Sequence, residues 1–117
     1  MSDVMHPSHY QKVAGLLEPI DFCRLFPFAF GNVCKYLLRA GHKDSELSDL
    51  CKAYRYLHWA YEDLWQYEVD LRKYSHLAKC FHNVWLDRLF HGADFAANFE
   101  LTSAVLKAYI ELRGGSV

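Results

Sequence analysis

The stretch SELSDLCKAYRYLHWAYEDL, residues 45–64, decides the fold class. Within it Leu47, Leu50, Tyr54, Leu57, Tyr61 and Leu64 recur at spacings of 3, 4, 3, 4 and 3. That rhythm keeps one row of apolar side chains on one flank of a helix of 3.6 residues per turn, whereas a half-buried strand would alternate at every second residue. Ser45 stands where an N-cap belongs, since its short side chain can accept a hydrogen bond from a first-turn N–H. Glu68 occupies the next seam position, but Leu71 resumes the register. The spacing therefore predicts one long helix from Ser45 to about Lys73.

Working outward toward the N-terminus, Glu18-Pro19-Ile20-Asp21 reads as a helix start, because proline is tolerated in a first turn and carboxylates favour the positive helix end. This short helix is expected to reach about Leu25. Pro27 interrupts it, and a second helix is expected from Phe28 or Gly31 to Ala40, with Gly41 as a left-handed cap. Toward the C-terminus, one helix is expected over Leu77 to Phe90, stopping near Gly92, and another over Phe95 to Arg113, stopped by Gly114-Gly115. Residues 1–17 contain Pro7 and Gly15 and no helical period, so they read as an extended arm. The connections are short. The expected architecture is a single all-α domain, a compact antiparallel helical bundle with one long central helix.

The 117 residues suit one domain, and 52% apolar with 23% charged residues suit a globular chain rather than a disordered one. A net charge of −1 argues against duplex-DNA binding, which needs a basic footprint. No apolar run of about 18 residues predicts a membrane span, and the first residues lack the pattern of a secretory signal, so a cytoplasmic setting is expected. Cys23, Cys34, Cys51 and Cys80 form no CxxC pair, which reads as reduced thiols rather than a zinc module. Aromatic residues make up 16% of the chain, more than a core of this size is expected to hide. Self-association or a stacking surface is the expected use of the remainder.

Chemistry concentrates on four short segments. On the second helix, Asn32, Lys35, Tyr36 and Arg39 share one arc, where the cations and hydrogen-bonding groups suit phosphate or simply meet water. On the long helix, Asp49, Lys52, Tyr56, Trp59 and Asp63 form a stripe roughly opposite the apolar seam. It reads either as a surface pair with packed aromatics or as a pocket wall in which Lys52 meets phosphate and an aromatic ring stacks on a base. Glu18 and Asp21, three residues apart, are either a magnesium or proton-holding pair or helix N-terminal charges. The arm carries His6-Pro7-Ser8-His9-Tyr10, a dense set better suited to lying over a ligand than to binding zinc, which normally takes three or four protein ligands. There is no P-loop, no GxGxxG and no GxSxG, so phosphate binding would have to come from side chains and helix ends.

In chain order, His6-Pro7-Ser8-His9-Tyr10, Glu18-x-x-Asp21, Gly31-Asn32-x-x-Lys35-Tyr36-x-x-Arg39, Lys43 and Asp49-Leu50-x-Lys52-Ala53-x-x-Tyr56 resemble the family of SaV-like proteins and phage nucleotide kinases. The resemblance covers about residues 6–60; residues 61–117 form a helical remainder outside it. It implies a phage protein in the bacterial cytoplasm, oligomeric, with a nucleotide site in residues 18–60. By that resemblance Lys35, Arg39, Lys43 and Lys52 hold phosphate, and Asn32, Tyr36 and Tyr56 orient the nucleotide. Glu18 or Asp21 binds Mg²⁺ or organises a base, and His6, His9 and Tyr10 close over the site. A site between subunits is the expected geometry, because the Lys52/Tyr56 stripe faces away from the seam. Phosphorylation of a deoxynucleoside monophosphate is the implied activity. Two alternatives stand beside it: non-catalytic sequestering of a host immune nucleotide, and an interaction module that contacts a host defence protein.

Overall fold

Ser45 caps the long helix as its position demands: its hydroxyl accepts from the Ser48 N–H at 3.2 Å, and the helix, α3, spans Glu46–Gln66. The computed structural model describes residues 17–42 and 45–117, and every regular element among them is helical. The expectation of continuity to about Lys73 is not met. Glu68 takes a left-handed backbone at φ 53°, its N–H donates to the Trp65 carbonyl at 3.3 Å, and the Val69 N–H donates to the Leu64 carbonyl at 3.0 Å. Those two bonds are a Schellman stop, which satisfies carbonyls that the helix end leaves free. The seam position that Glu68 interrupts is thus the terminus itself, and Leu71 belongs to a separate 3-10 turn, Leu71–Tyr74.

Helix α1 spans Pro19–Cys23 and α2 spans Phe28–Arg39, with Pro27 between them at the α2 N-cap. Gly31 allows the two to approach: a Cβ at this position would sit 2.8 Å from the Cys23 carbonyl oxygen. Gly41, at φ 86°, takes the left-handed conformation expected after α2. Helices α2 and α3 then run antiparallel, because Arg39 meets Asp49 near the connection while Tyr36 and Phe28 each face Tyr56 farther along.

The expected helix over Leu77 to Phe90 is two helices, α4 at Ser75–Lys79 and α5 at Val84–Leu89. His82, at φ 50°, breaks the helical path, and Asn83 starts the next helix by accepting from the Trp85 and Leu86 N–H groups, each at 3.0 Å. The amide of Asn83 also donates to the Leu37 carbonyl at 3.1 Å, tying α5 to the last turn of α2. Helix α6, Phe95–Leu112, matches its expected bounds closely, with Asp94 accepting from the Ala97 N–H at its start and Gly114 at φ 88° past its end. It lies antiparallel to α3, since Tyr109 contacts Glu46 while Phe99 packs on Tyr61.

The core absorbs much of the aromatic excess. Phe22, Phe26, Phe30, Phe90 and Phe99 are buried, and Phe30 touches three of the others at centroid distances of 4.9 to 5.8 Å. Each such edge or tilted pair adds about 0.5–1.5 kcal/mol beyond area burial. Cys23 and Cys34 are buried in the same core. Burial pushes the Cys23 thiol up to about 11 and holds Cys34 well above the ordinary thiol range. Because the thiolate is the reactive species, iodoacetamide at pH 8 is expected to label Cys51 and Cys80 in the native protein, and Cys23 and Cys34 only after denaturation. Peptide mass mapping reads this directly; native labelling of Cys34 would contradict the packing. No helix among the described residues is long and apolar enough to cross a membrane.

Candidate functional site

Five residues of α2 at helical spacing, Phe28, Asn32, Lys35, Tyr36 and Arg39, lie along one side of the helix. The stripe of α3 comes to meet it. Tyr36 and Tyr56 stack nearly parallel, at 17° with centroids 6.1 Å apart. Lys35 Nζ and Lys52 Nζ each lie 5.4 Å from the centroid of the Tyr36 ring. The ring's electron-rich face attracts both ammonium groups, and among the described residues neither lysine is paired with a carboxylate. The result is two positive charges gathered at a ring pair. Tyr56 extends the aromatic surface to Phe28 at 6.0 Å and Trp59 at 5.9 Å, and Phe28 is 75% exposed.

These residues meet within one chain. The stripe faces away from the Leu47–Leu64 seam, as expected, but the surface it faces is α2, so Lys52 and Tyr56 join Lys35 and Tyr36 without a second subunit. The short connection after α2 folds the two helices back on each other and leaves both polar flanks on the same side.

Arg39 takes a different role. Its Nε lies 3.6 Å from Asp49 Oδ2, and the Asp49 side chain is 1% exposed while that of Arg39 is 32% exposed. Asp49, placed on the stripe by its spacing, is therefore a buried counter-ion at the α2–α3 junction. Glu18 and Asp21 sit at the start of α1, where the Asp21 carboxylate accepts from the Glu18 N–H at 3.1 Å as part of a capping box. Of the two readings of this pair, helix capping has a hydrogen bond behind it. No group of three or more His, Cys, Asp or Glu side chains able to hold a metal occurs among the described residues.

Asn32 donates to the Phe28 carbonyl at 2.9 Å and, with Lys35, lines a cavity of about 490 Å³ between α1 and α2. Its walls are mainly apolar, with Ile20 and Phe28 on its sides and Gly31 and Cys23 also lining it. Lys35 thus borders both this cavity and the tyrosine pair. Phe28 is the residue that the sequence reading missed. Its signal was present, since it lies one turn before Asn32 on the same arc, an apolar side chain on a polar flank. His6, His9, Tyr10 and Lys43 lie outside the described residues.

The described geometry defines an all-helical protein with a lysine- and tyrosine-lined face on a two-helix hairpin. Residues 4–58 match the model of a family described as a protein of unknown function, DUF3310. The match takes in α1, α2 and the first half of α3, and so the whole lysine–tyrosine face; its description says nothing of an activity. No curated protein and no solved structure matches the chain.

Proposed function

We propose that the α2–α3 face binds a phosphorylated nucleotide. The observation that carries this reading is the convergence of Lys35 and Lys52 on the Tyr36 ring, which itself stacks on Tyr56. Two ammonium groups without carboxylate partners among the described residues suit a phosphate, and the adjoining Phe28, Tyr56 and Trp59 rings offer a base an aromatic surface. The apolar cavity beside Lys35 has room for the sugar or base of a ligand whose phosphate the lysines hold. The family resemblance implies the same ligand class and a phage setting.

Binding is better supported than phosphoryl transfer, because the carboxylate of Asp21 is engaged in capping α1 rather than turned to a ligand. A non-catalytic nucleotide-sequestering protein, acting against a host signal, fits that arrangement, while a monophosphate kinase would need Glu18 or Asp21 to leave the cap or Mg²⁺ to bind there. The exposed Phe28 and Trp59 favour one further reading, a contact with a second copy of the chain or with a host defence protein.

The test is calorimetric titration with a panel of nucleoside monophosphates and cyclic nucleotides, followed by mass spectrometry of the ligand recovered after denaturation, with and without ATP and Mg²⁺. Lys35→Ala and Lys52→Ala are each expected to weaken binding about 10- to 100-fold, the worth of a charge-assisted hydrogen bond. The bare nucleosides should bind more weakly than the phosphates. Intact recovery supports sequestering, and a gained phosphate supports a kinase. Full affinity in the folded double variant would overturn the site.

A further inference from the structure

At the other end of α3 lies a second cavity of about 730 Å³, which shares no lining residue with the α1–α2 cavity. Its aromatic walls are Tyr61, Trp65, Phe95 and Phe99. The Tyr61 ring lies 5.5 Å from Phe99 and 6.3 Å from Trp65, so three rings bound one side. Trp65 is 67% exposed, with its indole available to an occupant rather than consumed by the core.

The rim is acidic, with Glu68, Asp70 and Asp94 against a single cation, Arg72. That cation is already committed: its guanidinium forks onto Asp70 at 3.0 and 3.2 Å and holds the Asp70 carboxyl below the usual carboxylate range. Asp94 accepts from the Ala97 N–H and neutralises the start of α6. The Glu68 carboxylate has no ion pair among the described residues. Its position is also electrostatically costly. The last turn of α3 contains no basic residue, although a helix C-terminus favours cations, and Glu68 follows it directly in a left-handed conformation where glycine is ordinary.

We propose that this cavity binds a small organic cation, with an alkylated ammonium head against the Tyr61 and Trp65 rings and the Glu68 carboxylate as its counter-ion. Ring faces attract cations through their quadrupole and also accommodate the apolar methyl groups of an alkylammonium, a combination that no anion or neutral ligand shares. A bare metal ion would need converging oxygen or nitrogen donors, and no group of three or more His, Cys, Asp or Glu side chains placed to hold one occurs among the described residues. The cation would place, beyond the end of α3, the positive charge that the last turn of this helix lacks.

Choline and its uncharged isostere 3,3-dimethyl-1-butanol test the proposal, because they share shape and differ in charge. Titration of the full chain, followed by the Trp65 indole proton signal in NMR, is expected to give saturable shifts with choline and none with the alcohol. Trp65→Ala should weaken choline binding about 5-fold, the upper end for a cation–π contact at an exposed site, and Glu68→Gln, which removes the counter-charge, should weaken it as well. Glu68→Gly separates function from folding: glycine relaxes the left-handed backbone, so thermal stability should rise while choline binding falls. Equal binding of choline and the alcohol, absence of any shift with choline, or undiminished affinity in the Glu68 variants would each overturn the proposal. So would a lysine-rich peptide that shifts Trp65 when choline does not, since the site would then belong to a basic protein segment.

Discussion

Arg39→Ala is expected to lower folding stability by about 3 kcal/mol, the lower end of what breaking a buried ion pair costs. The asymmetry of the pair sets the size. Asp49 is 1% exposed and Arg39 is 32% exposed, so removing the arginine strands a carboxylate that water reaches poorly, whereas the arginine itself keeps contact with solvent. Urea denaturation should show the midpoint fall with little change in slope. The double variant Arg39→Leu/Asp49→Leu is expected to recover most of the loss, because it removes the buried charge together with its partner. A fully stable Arg39→Ala would show that the pair contributes nothing to the α2–α3 junction. This matters for function as well: weakened nucleotide binding in an Arg39 variant would mix a lost phosphate contact with a loosened hairpin. Lys35 and Lys52 are both exposed and carry no such burden, so they are the clean probes of the ligand.

Phe30→Ala is expected to cost about 3–5 kcal/mol, as truncation of a fully buried aromatic side chain does. Phe30 is 0% exposed and joins rings from three parts of the chain: Phe26 just before α2, Phe90 just after α5 and Phe99 on α6. Its removal leaves a cavity that no single neighbour can fill by moving. At a few degrees per kcal/mol, the unfolding midpoint in circular dichroism should fall by about 10–25 °C. Phe30→Leu, which retains most of the volume, should lose much less. A drop below about 1 kcal/mol for the alanine variant would mean that the ring cluster is not the centre of the core.

Particular residues show how much could be read in advance. Ser45, Gly41 and Gly114 carry local signals, a hydroxyl that caps and glycines that adopt left-handed backbone, and the ends they mark fall close to where they are expected. The bounds of α6 follow for the same reason. Glu68 and His82 mark the failures. Both are exposed, ordinary side chains in a left-handed conformation, and no propensity singles them out, because that backbone is held by helix-end hydrogen bonds from the Glu68, Val69 and His82 N–H groups rather than by a side-chain preference. Asn83 shows the other half of the difficulty: its capping role is local, but its bond to the Leu37 carbonyl spans 46 residues of chain.

The candidate site divides in the same way. Periodicity placed Asn32, Lys35, Tyr36 and Arg39 on one flank of α2, and Lys52 and Tyr56 on one flank of α3, because side-chain direction on a helix follows from spacing alone. That spacing, with the caps and breakers, also settled the all-helical class. Which flank meets which was decided only in three dimensions, when the turn after α2 laid the two helices antiparallel and set Tyr36 on Tyr56. The same step buried Asp49 against Arg39 and brought the end of α3 to the start of α6, where Tyr61, Trp65, Glu68 and Phe95 line one cavity. Contacts of that kind join residues distant in the chain, and their energies depend on burial and mutual geometry, neither of which a linear spacing contains.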